Sequence, residues 1–158
     1  MDHTAATRGN FVFGVIFVAV LALVVWWRSS SPSDLASSDL AAFARNLTLD
    51  QARAASAASG RPVFVYATAS WCGPCRAFKA RTLARADVAS LLSESFEPVY
   101  LDIDAQAGVA RSLRVTSVPT LMLFRDGAEI DRRIGALAPE EFLAFLRAGL
   151  PNPPGTGQ

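Results

Sequence analysis

The chain of 158 residues carries 15 basic and 14 acidic side chains, and 51% of its residues are hydrophobic. This length accommodates one ordinary domain with a sizeable core plus an appendage. The net charge of +1, without a basic block or interleaved aromatic and basic residues, argues against nucleic acid as a partner. Two cysteines are too few for a scaffold stapled by disulfides, so chemistry explains them better.

An uncharged apolar run occupies residues 11–27 and reads FVFGVIFVAVLALVVWW. At about 1.5 Å of rise per residue, a helix of this length lies at the short end of what spans a hydrocarbon core. Trp26 and Trp27 stand directly before Arg28, where an aromatic anchor at the membrane interface is expected. We therefore predict a short leader over 1–10 and a single transmembrane helix, a signal anchor, over 11–27.

A cleaved signal peptide and a buried core helix are the two alternatives for this run. The run lacks the polar face of a core helix, and it ends in Trp-Trp-Arg instead of the small residues of a cleavage site. The flanking charges nearly balance, so the orientation rests on the usual behaviour of a single anchor with a short leader, which keeps its N-terminus in the cytoplasm. That orientation places the rest of the chain outside, in an oxidising compartment.

A polar, Ser-rich linker is predicted over 28–47. Within it, residues 39–45 could form a short helix or remain part of the tether. Residues 48–51, Thr-Leu-Asp-Gln, match a capping box, and Gly60 suits the C-terminal cap. These two signals predict a helix over 49–59.

The folded region, predicted over 48–149, alternates apolar strands with amphipathic helices. The predicted strands are 62–68, 98–103, 120–124 and 129–134, and the helices after the first are 75–83, 106–113 and 139–149. A further helical piece through Val88, Leu91 and Leu92 is predicted between 83 and 98, with Asp87 as its cap. This order predicts an α/β fold in which helices flank a mixed central sheet. The remaining residues, 150–158, are rich in proline and glycine and are predicted to be disordered.

Both cysteines stand in the sequence Trp-Cys-Gly-Pro-Cys at 71–75, between the first predicted strand and a predicted helix. A strand-to-helix turn leaves Cys72 at the helix N-terminus, where backbone N–H groups and the helix dipole favour the thiolate. Because a thiolate attacks disulfides, Cys72 is the predicted nucleophile and is expected to be reachable. Cys75, one turn further along, is expected to be shielded and to attack only the mixed disulfide that Cys72 forms.

The motif alone also fits half of a zinc site or an inert structural disulfide. Zinc normally takes four ligands, and the other candidates here are His3, far away at the terminus, and scattered carboxylates. Cysteine spacing therefore favours redox chemistry, with the Cys72–Cys75 disulfide as the redox centre and with no metal or other cofactor.

Over residues 48–149 the sequence resembles the thioredoxin family. The resemblance is carried by WCGPC at 71–75, Ser-Val-Pro-Thr at 117–120, Phe-Arg-Asp-Gly at 124–127 and Gly135, in this order and spacing. The stretch 60–88 is also similar to the C-terminal periplasmic domain of DsbD-type membrane reductases. The resemblance implies a thioredoxin fold for the region that follows the predicted anchor.

The resemblance also implies a cis peptide bond before Pro119, with that proline packed against the cysteine pair. It further implies a shallow apolar docking surface, on which the Val118 backbone pairs with an extended substrate chain. The residues implied for this surface are Trp71, Gly73, Pro74, Val118, Pro119 and Gly135.

One departure from the family concerns the second cysteine. Thioredoxins commonly carry a buried aspartate six residues before the first cysteine and a lysine on the neighbouring strand. Here Tyr66 holds the first position and Tyr100 the second, so both charges are absent together, which avoids a lone buried charge. The Tyr66 hydroxyl or water is then the predicted proton acceptor for the thiol of Cys75.

Together these features predict a membrane-tethered thiol–disulfide oxidoreductase that reduces protein disulfides. The Gly-Pro dipeptide between the cysteines resembles reducing thioredoxins, whose potentials lie near about −270 mV, against about −120 mV for a strong oxidant. A disulfide oxidase or isomerase on the same fold is one alternative. The other is a non-catalytic tethered chaperone or assembly module that uses the groove around Val118.

The predicted partners are protein disulfides, a membrane or thioredoxin-type electron donor, and the lipid bilayer through 11–27, with no nucleic acid and with a monomeric chain. The predicted location is the bacterial inner membrane, crossed once, with the folded domain facing the periplasm.

Overall fold

The computed structural model of the chain describes residues 40–151. The predicted leader, the apolar run at 11–27, most of the predicted linker and the tail beyond residue 151 lie outside the described residues. Between residues 40 and 151, no helix combines the length and the apolar character needed to cross a bilayer.

Four strands and five α-helices make up the described domain. In chain order they are α1 Leu49–Ser59, β1 Val63–Thr68, α2 Gly73–Phe78, α3 Ala86–Ser95, β2 Glu97–Asp102, α4 Ala107–Ser112, β3 Thr120–Arg125, β4 Ala128–Ile134 and α5 Pro139–Ala148. The strands form one sheet in the order β2-β1-β3-β4. β1 runs parallel to β2 and antiparallel to β3, and β4 runs antiparallel to β3, so the predicted mixed sheet is confirmed.

The core lies on both faces of the central strand β1, every residue of which is buried. Phe64 and Tyr66 face a cluster that includes the two cysteines and α5. Val63 and Val65 face a second cluster that includes residues of α1 and α4. Because side chains alternate along a strand, a nearly continuous apolar run is what burial on both faces requires.

Helix α1 matches its prediction at both ends. The Thr48 hydroxyl accepts a hydrogen bond from the Gln51 N–H at 3.2 Å, and the Gln51 side chain accepts one from the Thr48 N–H at 2.9 Å. The helix ends at Gly60, which adopts φ +73°, a conformation that glycine reaches without steric strain. The capping box and the terminal glycine therefore define this helix.

Residues before the predicted domain boundary at 48 are also packed into the core. A short 3₁₀ turn spans Ala41–Phe43, and Phe43 is only 1% exposed. The Phe43 ring lies 6.3 Å from the Tyr66 ring and 5.8 Å from the Tyr100 ring, measured between centroids. The packed part of the chain thus begins N-terminal to the predicted boundary, within the predicted linker.

Helix α2 starts two residues earlier than the predicted start at Cys75. Pro74 in the first turn explains this start, because proline has no N–H to satisfy and its φ suits a helix. After α2 the chain continues as a π-helical turn over Lys79–Leu83, where the Ala84 N–H donates to the Lys79 carbonyl at 3.0 Å. The single predicted helix over 75–83 is therefore two consecutive helical forms.

Candidate active site

Cys72 and Cys75 are joined in a disulfide at the start of α2, just after the carboxyl end of β1. The S–S distance is 2.06 Å and the Cα–Cα distance is 5.3 Å. Cys72 is the N-cap of the helix, and its Sγ accepts a hydrogen bond from the Cys75 N–H at 3.1 Å. The predicted position of Cys72 at a helix N-terminus is confirmed, and the donor that would stabilise its thiolate is in place.

Both cysteines are buried in this disulfide form, with 3% of Cys72 and 1% of Cys75 exposed. The prediction that Cys75 is shielded is confirmed, whereas the prediction that Cys72 is openly reachable is wrong for the oxidised domain. The disulfide holds Cys72 Sγ against the chain, with the Val118 carbonyl oxygen 3.7 Å away. A thiol that reduces this disulfide can therefore reach only a small exposed part of Cys72.

The loop before β3 packs against the cysteine pair, as the resemblance implied. The Val118–Pro119 peptide bond is cis, Pro119 is buried, and Val118 is partly exposed. The Pro119 carbonyl accepts a hydrogen bond from the Gly135 N–H at 2.8 Å. Gly135 has φ +100°, a backbone conformation that favours glycine. The structure thus brings these three predicted residues together beside Cys72.

An exposed apolar rim lies beside the cysteine pair and consists of Trp71, Gly73, Pro74 and Ile134. Trp71 is 64% exposed, and Gly73 and Pro74 are exposed in the first turn of α2. Ile134, which the sequence prediction missed, is 65% exposed and pairs with Thr120 across the sheet. The sequence signal that could have identified Ile134 was its position directly before Gly135. The rim is an apolar surface of the kind used to bind other proteins.

Asp104 is the second residue near the site whose contact the sequence prediction missed. Its Oδ2 accepts a hydrogen bond from the Trp71 indole Nε1 at 2.9 Å. The neighbouring Asp102 carboxylate accepts from the backbone N–H groups of Asp104 and Ala105 at 2.9 and 3.1 Å, which forms the turn after β2. An acidic residue just beyond a strand next to β1 was the only sequence signal for this contact.

Behind Cys75 lies the tyrosine pair that replaces the family's two charged residues. Tyr66 is fully buried, and its hydroxyl donates to the Cys75 carbonyl oxygen at 3.1 Å. Burial, the main cause, raises the pKa of Tyr66 to about 12. At neutral pH this phenol is therefore a hydrogen-bond donor, and the geometry does not support the predicted role as proton acceptor.

Two cations lie on the outer side of the active-site helix. The Arg76 guanidinium donates to the Ser70 carbonyl at 3.0 Å, which ties the helix to the loop before it. The Lys79 ammonium lies 3.4 Å from the Tyr100 hydroxyl and 5.3 Å from the centroid of that ring.

Between residues 40 and 151, no group of three or more His, Cys, Asp or Glu side chains is arranged to hold a metal ion.

Known proteins are similar to this chain in both sequence and architecture. The pattern that defines the thioredoxin-like domain matches residues 49–150. Thioredoxin from Mycobacterium bovis is 36% identical over 94 residues, which cover 60% of this chain and 78% of that protein. Thioredoxin from Mycolicibacterium smegmatis is 35% identical over 101 residues, covering 58% and 81%.

Among solved structures, a thioredoxin from Thermus thermophilus superposes with a TM-score of 0.57 at 30% identity, covering 63% of this chain and 82% of that one. These similarities agree with the CXXC pair at a helix N-terminus, the cis-proline beside it and the mixed sheet. The chain belongs to the thioredoxin-like domain family, and its Cys72–Cys75 pair makes it a thiol–disulfide oxidoreductase.

Proposed function

We propose that the protein reduces protein disulfides by dithiol–disulfide exchange. The Cys72 thiolate attacks one sulfur of a substrate disulfide, and the other substrate sulfur leaves as a thiolate. The Cys75 thiol then loses its proton, and its sulfur attacks Cys72 Sγ and displaces the second substrate thiolate. Two electrons pass to the substrate, and the domain is left with the Cys72–Cys75 disulfide, so an external dithiol must reduce it again.

One observation carries the reducing direction: among the described residues, a single N–H group, that of Cys75, donates to Cys72 Sγ. A strong oxidant needs a reduced form with a heavily stabilised thiolate, as in proteins whose cysteine pKa lies near about 3.5. One donor and a short helix supply only modest stabilisation of the Cys72 thiolate, less than such an oxidant requires. This balance supports a reducing potential.

The exposed rim supports protein substrates. Trp71 and Ile134 flank the pair with apolar surface, and the partly exposed Val118 offers its backbone beside Cys72. An extended chain that pairs with Val118 brings its own disulfide to Cys72 Sγ. The surface beside Cys72 therefore suits a protein disulfide as the substrate.

The location forms a second part of the proposal and rests on sequence. The apolar run at 11–27 supports a membrane anchor, and its short leader supports a folded domain on the outer face of a bacterial inner membrane. The similarity of 60–88 to DsbD-type reductases supports an electron donor within the membrane. In an oxidising compartment, such a donor is what keeps a dithiol reduced.

The reducing direction is tested by equilibrating the full chain, in detergent, with glutathione buffers of defined potential. We expect a midpoint below about −200 mV and turnover of a model protein disulfide when a dithiol is supplied. Cys72→Ser is the matched control and abolishes turnover. A midpoint well above about −200 mV identifies an oxidase or isomerase instead, and undiminished turnover by Cys72→Ser rejects the exchange mechanism.

The location is tested in bacterial cells that express the full chain. We expect the protein to remain in the membrane fraction after alkaline carbonate washing and to be digested by protease added to spheroplasts. Deletion of 11–27 then releases it from the membrane. Recovery of the intact chain in the soluble fraction, or protection from external protease, contradicts this part and leaves the exchange chemistry unaffected.

A further inference from the structure

The space behind the second cysteine is filled by tyrosines and contains no carboxylate among the described residues. Tyr66 on β1 reaches the Cys75 carbonyl, and Tyr100 is its neighbour in register on β2, with ring centroids 5.6 Å apart. The one buried acid between residues 40 and 151 is Glu97, at the other end of β2, where Arg45 and Arg61 bind it. The neutral Tyr66 hydroxyl therefore occupies the position at which thioredoxins commonly carry a buried aspartate.

We propose that Tyr66 is a positioning residue for Cys75. Its hydroxyl holds the Cys75 carbonyl, and with it the backbone that carries the second sulfur, in the place where that sulfur closes the ring with Cys72. The inference rests on thiol–disulfide exchange by this pair and is independent of its direction and location.

The local structure explains why such a contact matters at Cys75. Helix α2 has only six residues, and the helical spacing changes to a π-turn immediately after Phe78. A helix this short is held mainly by its contacts with the rest of the domain. The Tyr66 hydroxyl joins the helix to the central strand at the residue that supplies the resolving sulfur.

The hydroxyl acts as a donor and takes no proton from the thiol. Burial raises the pKa of Tyr66 to about 12, so the phenol keeps its proton near neutral pH. In the closing step the Cys75 thiol loses its proton to solvent, the Cys75–Cys72 sulfur bond forms, and the substrate sulfur leaves with the electron pair. Tyr66 changes the probability that the two sulfurs are in line and leaves the proton balance of the step unchanged.

The two chemical steps should therefore respond differently to loss of the hydroxyl. The first attack uses Cys72 and does not require Cys75 Sγ to be aligned. Its N-cap donor, the Cys75 N–H, belongs to the peptide unit before Cys75, whereas the carbonyl that Tyr66 holds belongs to the peptide unit after it. Ring closure does require that alignment. The hydrogen bond is long for a hydroxyl donor, at 3.1 Å, so the expected effect is moderate.

The test compares Tyr66→Phe with the wild-type full chain in detergent. Tyr100→Phe is the matched control, because its hydroxyl lies next to Lys79 and not next to Cys75. Three quantities are measured: the equilibrium with glutathione, the rate of closure from a mixed disulfide with glutathione, and the rate of the first attack on a small aromatic disulfide.

For Tyr66→Phe we expect a roughly threefold to tenfold smaller equilibrium constant for ring closure, a potential about 14–30 mV less negative, and a matching loss in closure rate. The first attack should stay within about twofold of wild type, as should every quantity for Tyr100→Phe. A merely structural role lowers the stability of the oxidised and reduced forms alike and leaves the equilibrium unchanged.

An unchanged equilibrium and closure rate in Tyr66→Phe overturns the proposal, as does an equal slowing of both steps. If Tyr66→Phe reduces the folded fraction, the comparison is repeated with Arg114→Gly added to both the variant and the wild type. Arg114 follows α4 with φ +52°, a backbone conformation in which glycine is expected to stabilise the fold. Failure of the wild type to exchange disulfides at all would instead contradict the assigned activity, so the two failures are distinguishable.

Discussion

At the scale of single residues, Arg114 adopts a backbone conformation that is less favourable for arginine than for glycine. Arg114 follows the last turn of α4 with φ +52°, and the Val115 N–H donates to the Ala110 carbonyl at 2.9 Å. This is the helix end at which glycine is most common, because the left-handed conformation places Cβ close to the backbone of an L-residue.

Arg114→Gly should therefore raise the free energy of unfolding by about 0.5–1 kcal/mol, measured by urea denaturation of the oxidised protein. Arg111→Gly is the matched control inside α4, where glycine should lower the stability by about 1 kcal/mol. A loss of stability in Arg114→Gly would mean that its side-chain contacts outweigh the backbone strain.

Tyr66 gives a second prediction at this scale, from its titration. The folded-state pKa of about 12 lies above the ordinary tyrosine pKa of 10.0, so the unfolded chain releases this proton first as the pH rises. The contribution is fully present below pH 10 and is lost between about pH 10 and 12. Tyr66→Phe should flatten the fall in unfolding free energy across that window by on the order of 2 kcal/mol. Parallel curves for the two proteins would show that the phenol ionises normally in the fold.

At the scale of elements, the segment before α1 is an integral part of the domain. Phe43 packs on aromatic rings of β1 and β2. Nearby, Arg45 contacts Glu97 Oε2 at 2.6 Å, and Arg61 Nε donates to Glu97 Oε1 at 2.8 Å. Glu97 is fully buried, so the two guanidinium groups stabilise a carboxylate that would otherwise be unfavourable inside the protein.

Phe43→Ala should lower the free energy of unfolding by about 3–5 kcal/mol, because it leaves a cavity against the tyrosine pair. Ala44→Ser, at the exposed next position, should change it by less than about 0.5 kcal/mol. Urea denaturation of both variants gives the comparison. Equal stability of Phe43→Ala and wild type would show that the segment 40–47 is an accessory tether.

Removing the charge of Glu97 should lower the free energy of unfolding by less than Phe43→Ala does. Glu97→Gln should cost about 1–3 kcal/mol of unfolding free energy, since charge-assisted hydrogen bonds are lost while the partly exposed arginines can rehydrate. Glu94→Gln, an exposed acid three residues earlier, is the control and should be nearly neutral. A stabilised Glu97→Gln would show that the buried charge is retained for a reason other than stability.

Sequence patterns predicted some elements and missed others for identifiable reasons. The capping box at 48–51 and Gly60 define α1 because both signals are local. The packing of Phe43 was not predictable, because its partners lie on strands far along the chain. The π-turn after α2 was missed as well, because helical periodicity does not distinguish one extra residue in a turn from a regular helix.

At the scale of the whole molecule, sheet register assembles the site from three separated segments. Ala67 near the end of β1 pairs with Thr120 at the start of β3, and Thr120 pairs with Ile134 at the end of β4. This row of three paired residues lies next to the cysteine loop, the cis-proline loop and Gly135. Composition and spacing could identify the cysteines, whereas the other two segments could be joined to them only through the resemblance to thioredoxins.

The central claim is that the helix N-terminus makes Cys72 the attacking thiolate. The most direct test is the pH dependence of alkylation of the reduced full chain by iodoacetamide, with the modified cysteine identified by mass spectrometry. We predict that Cys72 reacts first, with a pKa clearly below the ordinary value of about 8.5, and that Cys75 stays protected. A Cys72 pKa at or above about 8.5, or alkylation of Cys75 ahead of Cys72, would contradict the account.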